Sequence, residues 1–328
     1  PVAVGIPPRV EVLDEMRSAL EFQARWGDFV DELFADPRYT PILIRAVLLE
    51  VHVDRIRGPS LRDVAVVFGE SWDRLDRIAG EQDLTPVPLE RESALAALLA
   101  VRELPEQCHD PDDRFAERLR AHAADIARVG SALEIADDDG LLQVLRAKAK
   151  WAHGGVGRAG AWDDIRAARE TVKAADEACA RVVAQAADAV LRVLASVVAR
   201  FTIAAAEARR QEGRLEFHDL LVVARRLLRT SPSARGALRL RYTRLLLDEF
   251  QDTDPIQIEL AVLIASTPPT DTAPAELLVD MPWPLVPTEP ERLFFVGDPK
   301  QSIYRFRRAD IRLFLSARDR FGGEGVVA

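Results

Sequence analysis

Cysteine is nearly absent from this chain: Cys108 and Cys179 are the only two in 328 residues, and they lie far apart. A disulfide scaffold is thereby excluded, and a reducing, cytoplasmic setting is the simplest expectation. Unbroken apolar runs are missing too. No stretch approaches the roughly 18 consecutive apolar residues of a membrane span, so no membrane partner is expected. The opening PVAVGIPPRVEVLDEM has neither a basic n-region nor an apolar core and does not read as a secretory signal. His52, His109, His122 and His153 show no metal-ligand spacing. A phosphate-binding G-x-x-x-x-G-K-[ST] loop is also lacking; HGGVGRAG (153–160) has neither the following Lys-Ser/Thr nor a preceding apolar strand. What is present is 48% hydrophobic and 30% charged, which suits two or three globular domains. The net charge of −9 argues against a uniformly basic surface. It leaves nucleic acid open, because binding depends on where positive charge clusters.

From about residue 12 to 211 the apolar residues recur at three- and four-residue spacing, as in SALEFQARWGDFVDELF (18–34) and LRDVAVVF (61–68). The run 163–211 is Ala-rich and free of Gly and Pro, which predicts one or two long helices packed inside a helical domain. Trp26, Trp72 and Trp162 fall in such stretches and are expected in the core. After Gly213 the pattern changes. A helix at 218–230 leads to the apolar run of RYTRLLLDEF (241–250), a helix at 254–266, a second apolar strand in RLFFVGD (292–298) and a helix at 309–321. Strand–helix–strand–helix order is the logic of a parallel sheet. The stretch 267–291 is rich in proline and reads as a surface insertion rather than core. The expected fold is therefore mainly α with an α/β part: a helical domain at 1–215 and an α/β domain at 216–328.

Two segments carry chemistry. Leu245-Leu246-Leu247 runs straight into Asp248 and Glu249. The carboxyl ends of strands in an open parallel sheet are where ligands bind. Nucleoside triphosphate hydrolysis uses one carboxylate to hold Mg²⁺ and a second to orient and deprotonate the attacking water. The alternative is an acidic strand end that caps the next helix, although Gln251, Asp252 and Gln257 add polar groups in an unusual order. The second segment, VGDPKQSIYRFRRAD (296–310), interleaves Tyr304 and Phe306 with Lys300, Arg305, Arg307 and Arg308. Ring faces stack on bases at roughly 1–3 kcal/mol each, and flanking arginines suit single-stranded nucleic acid. Alternatively the rings belong to the core and the arginines pair with Asp248, Glu249 or Asp252.

LLLDEFQDTDPIQ (245–257) and FFVGDPKQSIYRFRRAD (294–310) resemble helicase motifs II and III of the UvrD/Rep superfamily. EFHDLL (216–221) resembles the short motif before the Walker B strand, and residues 4–26 resemble the start of the helical 1B insert of RecB/AddA-type proteins. The resemblance implies a 1B-like helical insert joined to part of a RecA-like ATPase domain. It implies an ATP-dependent DNA helicase, with ATP and Mg²⁺ as cofactors and DNA, chiefly single-stranded, as partner, and it admits an exonuclease function and a RecC/AddB-like partner subunit. Asp248 would coordinate Mg²⁺, Glu249 would be the general base, and Gln301 would sense the γ-phosphate; Gln251 joins these three as a nucleotide-site candidate. Tyr304 and Phe306 would stack on the strand, with Arg305 and Arg307 bracing phosphates or the acidic motif. Arg308 stands where the family usually has Gly, and His218 replaces the first Asp of its FDDLL, which leaves Asp219 as a helix-terminus residue. The phosphate cradle and arginine finger are expected on other parts of a longer polypeptide, so this chain by itself would bind nucleotide weakly or not at all and would be inactive. The competing expectation is a non-catalytic helicase-like scaffold that binds DNA or a partner subunit.

A weaker signal lies at 146–160, where Arg146, Lys148, Lys150 and Arg158 occur without an acid and beside Trp151 and four glycines. It reads either as a DNA-touching loop, with Lys148 and Lys150 as DNA contacts, or as a solvated helix end before a flexible loop.

Overall fold

The computed structural model describes residues 5–55, 58–151, 154–268, 278–298 and 311–321, the last segment with side chains from 315 onward. The chain divides into two units, one formed by 1–21 with 205–328 and the other by 22–204.

The unit 22–204 is helical. Its elements are most of α1 (Glu15–Ala35), then α2 (Thr40–Leu48), α3 (Leu61–Gly69), α4 (Glu92–Arg102), α5 (Arg114–Ala121), α6 (Ala123–Ile135), α7 (Asp138–Ala147) and the greater part of α8 (Ile165–Glu212). Helix starts follow side-chain chemistry: Ser60 caps α3 in a capping box with Asp63, and Asp137 caps α7 through the Gly140 N–H. The run 163–211 forms one helix, α8, and it serves two cores. Ile165, Ala168, Val172, Ala175, Cys179, Val182 and Ala186 follow three- and four-residue steps and pack with α4–α7. Val190, Val193, Leu194 and Val197 face Trp26 and Leu33 of α1, Ile42 of α2 and Leu61 of α3. Alanine at so many facing positions lets neighbouring backbones approach closely. Helix α8 is long and apolar enough to cross a membrane by length and composition, although it contains no unbroken apolar run of that length. Half of its apolar window is buried inside the protein, as in a core helix. Trp26 and Trp162 are buried as expected, whereas Trp72 is only half-buried in a short 3-10 turn.

The other unit opens with β1 (Glu11–Val12), which pairs in parallel with β2 (Arg214–Leu215). The Leu13 N–H donates to the Leu215 carbonyl at 2.9 Å, Arg214 pairs with Glu21, and the Ser18 hydroxyl donates to Glu216. These ties join residues 1–21 to 205–328, and the two contact units meet at 21/22 and 204/205. Then follow α9 (Phe217–Thr230), α10 (Pro232–Arg241), β3 (Leu245–Leu247), α11 (Pro255–Ile264), β4 (Leu293–Phe295) and α12 (Ile311–Phe321). Asp219 is the N3 residue of α9: it accepts from the Glu216 N–H at 3.0 Å and forms a two-point ion pair with Arg209, at 2.8 and 3.0 Å. Burial alone would lower the Arg209 pKa, but the hydrogen bonds and charge of Asp219 leave it raised.

Strands β3 and β4 run parallel, with Leu245, Leu246 and Leu247 opposite Leu293, Phe294 and Phe295, and α11 lies between them in the chain. A parallel pair needs such a crossover. One face of the pair packs on Phe250, Ile258, Val262 and Ala317. The expectation that 267–291 is purely surface is corrected here. Residues 269–277 lie outside the described set, but Leu278 and Val286 are buried in this core, with Met281 and Trp283 packed against it. Proline removes backbone donors without removing the drive to bury neighbouring apolar side chains. The Thr267 and Glu289 N–H groups, donating to the Pro287 and Ala265 carbonyls, fasten both ends of the segment.

Candidate functional site

The site begins where β3 ends. Asp248 and Glu249 are exposed at the carboxyl end of the strand. The Glu249 N–H donates to Asp248 Oδ1 at 2.9 Å, which holds that carboxylate against its own chain. Glu249 itself has a left-handed backbone, φ 51° and ψ 42°. For a residue with a Cβ this conformation is uncommon and costs about 1–2 kcal/mol, and such strain concentrates at functional positions. It turns the chain sharply from the strand into the 3-10 turn Phe250–Asp252, closed by the Asp252 N–H donating to the Glu249 carbonyl at 2.9 Å.

The turn is bolted to the exit of β4. The Val296 N–H donates to the Leu247 carbonyl and the Phe250 N–H donates to the Val296 carbonyl, both at 2.9 Å. The Phe250 ring lies 4.4 Å from that of Phe295, which in turn packs on Phe321. Gln251 is buried, only 3% exposed. Its Nε2 donates to Glu249 Oε2 at 2.6 Å, and its Oε1 accepts from the Asp298 N–H at 3.0 Å. Gly297 makes this approach feasible, since a Cβ there would lie 2.4 Å from Gln251 Oε1 and 3.0 Å from the Phe250 nitrogen. We expect Gly297→Ala to cost about 1–3 kcal/mol, the usual range for overpacking. Urea unfolding would check this; an unchanged midpoint would show that the amide can retreat.

Beyond the turn, Asp254 caps α11: its carboxylate accepts from the Ile256 N–H at 2.9 Å, and Gln257 completes the capping box. Gln257 therefore has a helix-terminus role. Asp252 keeps one carboxylate oxygen, Oδ1, shielded from solvent and without a hydrogen-bond partner among the described residues.

The structure thus brings Asp248, Glu249 and Gln251 together at one strand end. Gln301, Tyr304, Arg305, Phe306, Arg307 and Arg308 lie outside the described residues. The remaining candidates, Lys148 and Lys150, sit in the helical unit. Lys148 pairs with Asp176 and lies 4.2 Å above the Trp151 ring, so its charge is already engaged. Trp151, which the sequence left either in a DNA-touching loop or beside a solvated helix end, is completely buried: its Nε1 donates to Asp125 at 2.8 Å and its N–H to Asp176 at 3.0 Å. Burial pushes the Asp125 carboxyl up, yet the Arg128, Trp151 and Ala149 donors outweigh it and leave the group lowered. Lys150 is exposed. Sequence reasoning missed the bridging role of Gln251 and the need for glycine at 297. The signal available was a glutamine two residues after a carboxylate pair.

A family model described as the UvrD/REP helicase N-terminal domain matches residues 113–322, more than half of the chain. This chain belongs to that family. It is also 32% identical over 134 residues to an ATP-dependent helicase/nuclease subunit from Exiguobacterium sibiricum, covering 40% of this chain and 10% of that protein. The namesake from Lactiplantibacillus plantarum is 30% identical over 167 residues, 48% of this chain and 12% of its own length. That from Natranaerobius thermophilus is 35% identical over 115 residues, 35% of this chain and 8% of its own. The chain spans about a tenth of the length of these curated relatives.

Proposed function

We propose that this chain is part of an ATP-driven DNA motor of the RecB/AddA type, acting in DNA repair or recombination, and that residues 205–321 are part of its RecA-like ATPase domain. The observation that carries the reading is the strand end itself. Two adjacent carboxylates project from a parallel strand, one on a strained backbone and clamped to the next strand by a buried amide. A cap for α11 would need none of this, since Asp254 already fills that role.

In this reading Asp248 would hold Mg²⁺ and Glu249 would take the proton of the attacking water. The donor chemistry fits, since carboxylate oxygens suit a hard cation. Among the described residues no cluster of three metal-ligating side chains occurs. Mg²⁺ commonly takes one or two carboxylates together with substrate phosphates. When bound, ATP·Mg²⁺ would supply the transferable phosphoryl group, and Gln301 would meet its γ-phosphate. Tyr304, Arg305, Phe306, Arg307 and Arg308 would form the DNA strip, with Lys150 the basic candidate on the helical unit. The relatives' name, which joins helicase to nuclease and denotes one component of several, supports a nuclease and a partner chain in the complete assembly. A cytoplasmic location accords with that role.

The test uses the full-length protein. We expect single-stranded DNA to stimulate ATP hydrolysis at least about tenfold, as positioning effects of this size are common in catalysis. DNA binding without any ATP turnover would sink the motor reading and leave the scaffold in its place.

A further inference from the structure

We propose that Gln251 is a positioning residue for Glu249, and that it makes the orientation of the base depend on the exit of β4. This rests on Glu249 being the general base.

Glu249 is exposed, with three side-chain torsions, and its own backbone geometry does not select one arrangement of the carboxylate. A base must sit within hydrogen-bond reach of the water it activates, so unrestrained torsions leave only a fraction of molecules competent. Gln251 supplies the restraint. Its Nε2 holds Glu249 Oε2 at 2.6 Å while its Oε1 is held by the Asp298 N–H at 3.0 Å. The amide is planar, so these two bonds cannot move independently. The side chain is buried, and the close approach over Gly297 leaves it little room to turn. Displacement of Gly297–Asp298 would therefore swing the donor away from Glu249. The chain passes from Asp298 directly into the 299–310 segment that carries Gln301 and the aromatic–arginine residues. The geometry points to a short mechanical link between that segment and the base: Asp298 N–H, Gln251 amide, Glu249 carboxylate. Support of a reacting group by a buried neighbour is how sites reach the precision catalysis needs.

The experiment compares Gln251→Met and Gln251→Glu with wild type in the full-length protein. Met keeps the volume and loses both bonds. Glu can still accept from the Asp298 N–H but sets a second carboxylate against Glu249. We expect kcat for DNA-stimulated ATP hydrolysis to fall about 10- to 100-fold in both, with the KM for ATP and the Kd for single-stranded DNA within about threefold of wild type. If Gln251→Glu restores kcat to within about threefold of wild type, the bond to Asp298 alone matters and the proposal is overturned. It is overturned equally if Gln251→Met keeps wild-type kcat, or if both variants lose ATP binding, DNA binding and turnover together, which would assign Gln251 to stability. Glu249→Gln assayed alongside separates the two levels. An inactive Glu249→Gln beside an active Gln251→Met removes only the role of Gln251, whereas an active Glu249→Gln removes the base and the present proposal with it.

Discussion

Glu249→Gln in the full-length protein is expected to lower kcat for DNA-stimulated ATP hydrolysis by about 10²- to 10⁴-fold, the range that a positioned general base contributes. The substitution is well matched to its environment. Glutamine has the same length, its Oε1 can still accept from Gln251 Nε2, and it tolerates the left-handed backbone as well as glutamate does. The turn, the clamp to β4 and the neighbouring Asp248 should all survive. What is lost is basicity alone. Because Asp248 and the phosphate-contacting groups remain, nucleotide affinity should change little, and single-stranded DNA should bind as before. The signature is therefore a fall in kcat and kcat/KM together, with Kd for DNA within about threefold of wild type. Steady-state ATPase and fluorescence-anisotropy titrations would read it. Turnover within about threefold of wild type would remove Glu249 from the chemistry.

How much of this was legible in the sequence depends on how local the cause was. Leu245–Leu247 and Leu293–Phe295 announced themselves as strands because short apolar runs bounded by polar residues have few other uses. Helix α8 followed from periodicity over many turns. The carboxylate pair was visible for the same reason: its residues are adjacent. The features that escaped all join residues far apart in the chain. Residues 1–21 belong with 205–328 because β1 pairs with β2, and no local pattern in either two-residue strand foretells that. Lys148 looked like free positive charge until Asp176, on another helix, took it. The proline-rich stretch looked like surface because composition reports what prolines avoid, while Leu278 and Val286 are placed by the cavity they fill. Gln251 read as a nucleotide-site candidate and not as a bridge. Only the return of β4 beside β3 shows that its amide spans two motifs.

Asp113→Ala is expected to be strongly destabilising in the helical unit, and the reason is again non-local. Asp113 is completely shielded from solvent, and it gathers donors from three places. Its Oδ1 accepts from the Phe115 and Ala116 N–H groups at 2.9 and 3.2 Å, capping α5, and from Trp162 Nε1 at 3.0 Å. Its Oδ2 accepts from the Arg158 N–H at 2.7 Å. One carboxylate thus fastens the start of α5, the loop before α8 and the buried ring of Trp162. Gly157 is required beside it: φ is +91°, and a Cβ there would lie 2.7 Å from the Phe115 Cβ and 3.0 Å from Asp113 Oδ1. Removing the carboxylate strands four donors, each worth about 1–3 kcal/mol if left dry. Local relaxation and water entry offset part of this cost, and we expect a net loss of about 3 kcal/mol. Burial would raise the Asp113 pKa, but the Arg158, Trp162, Ala116 and Phe115 donors outweigh it and hold the group below the ordinary carboxylate value. A carboxyl whose folded pKa is depressed stabilises the fold fully above its unfolded pKa of about 3.9, and the contribution is lost as pH falls through the folded value. The gap between variant and wild type should therefore be widest at neutral pH and narrow in strong acid. Urea unfolding followed by tryptophan fluorescence from pH 7 down to about pH 2 would show this. A difference that stays constant across that range would mean that Asp113 contributes packing rather than charge.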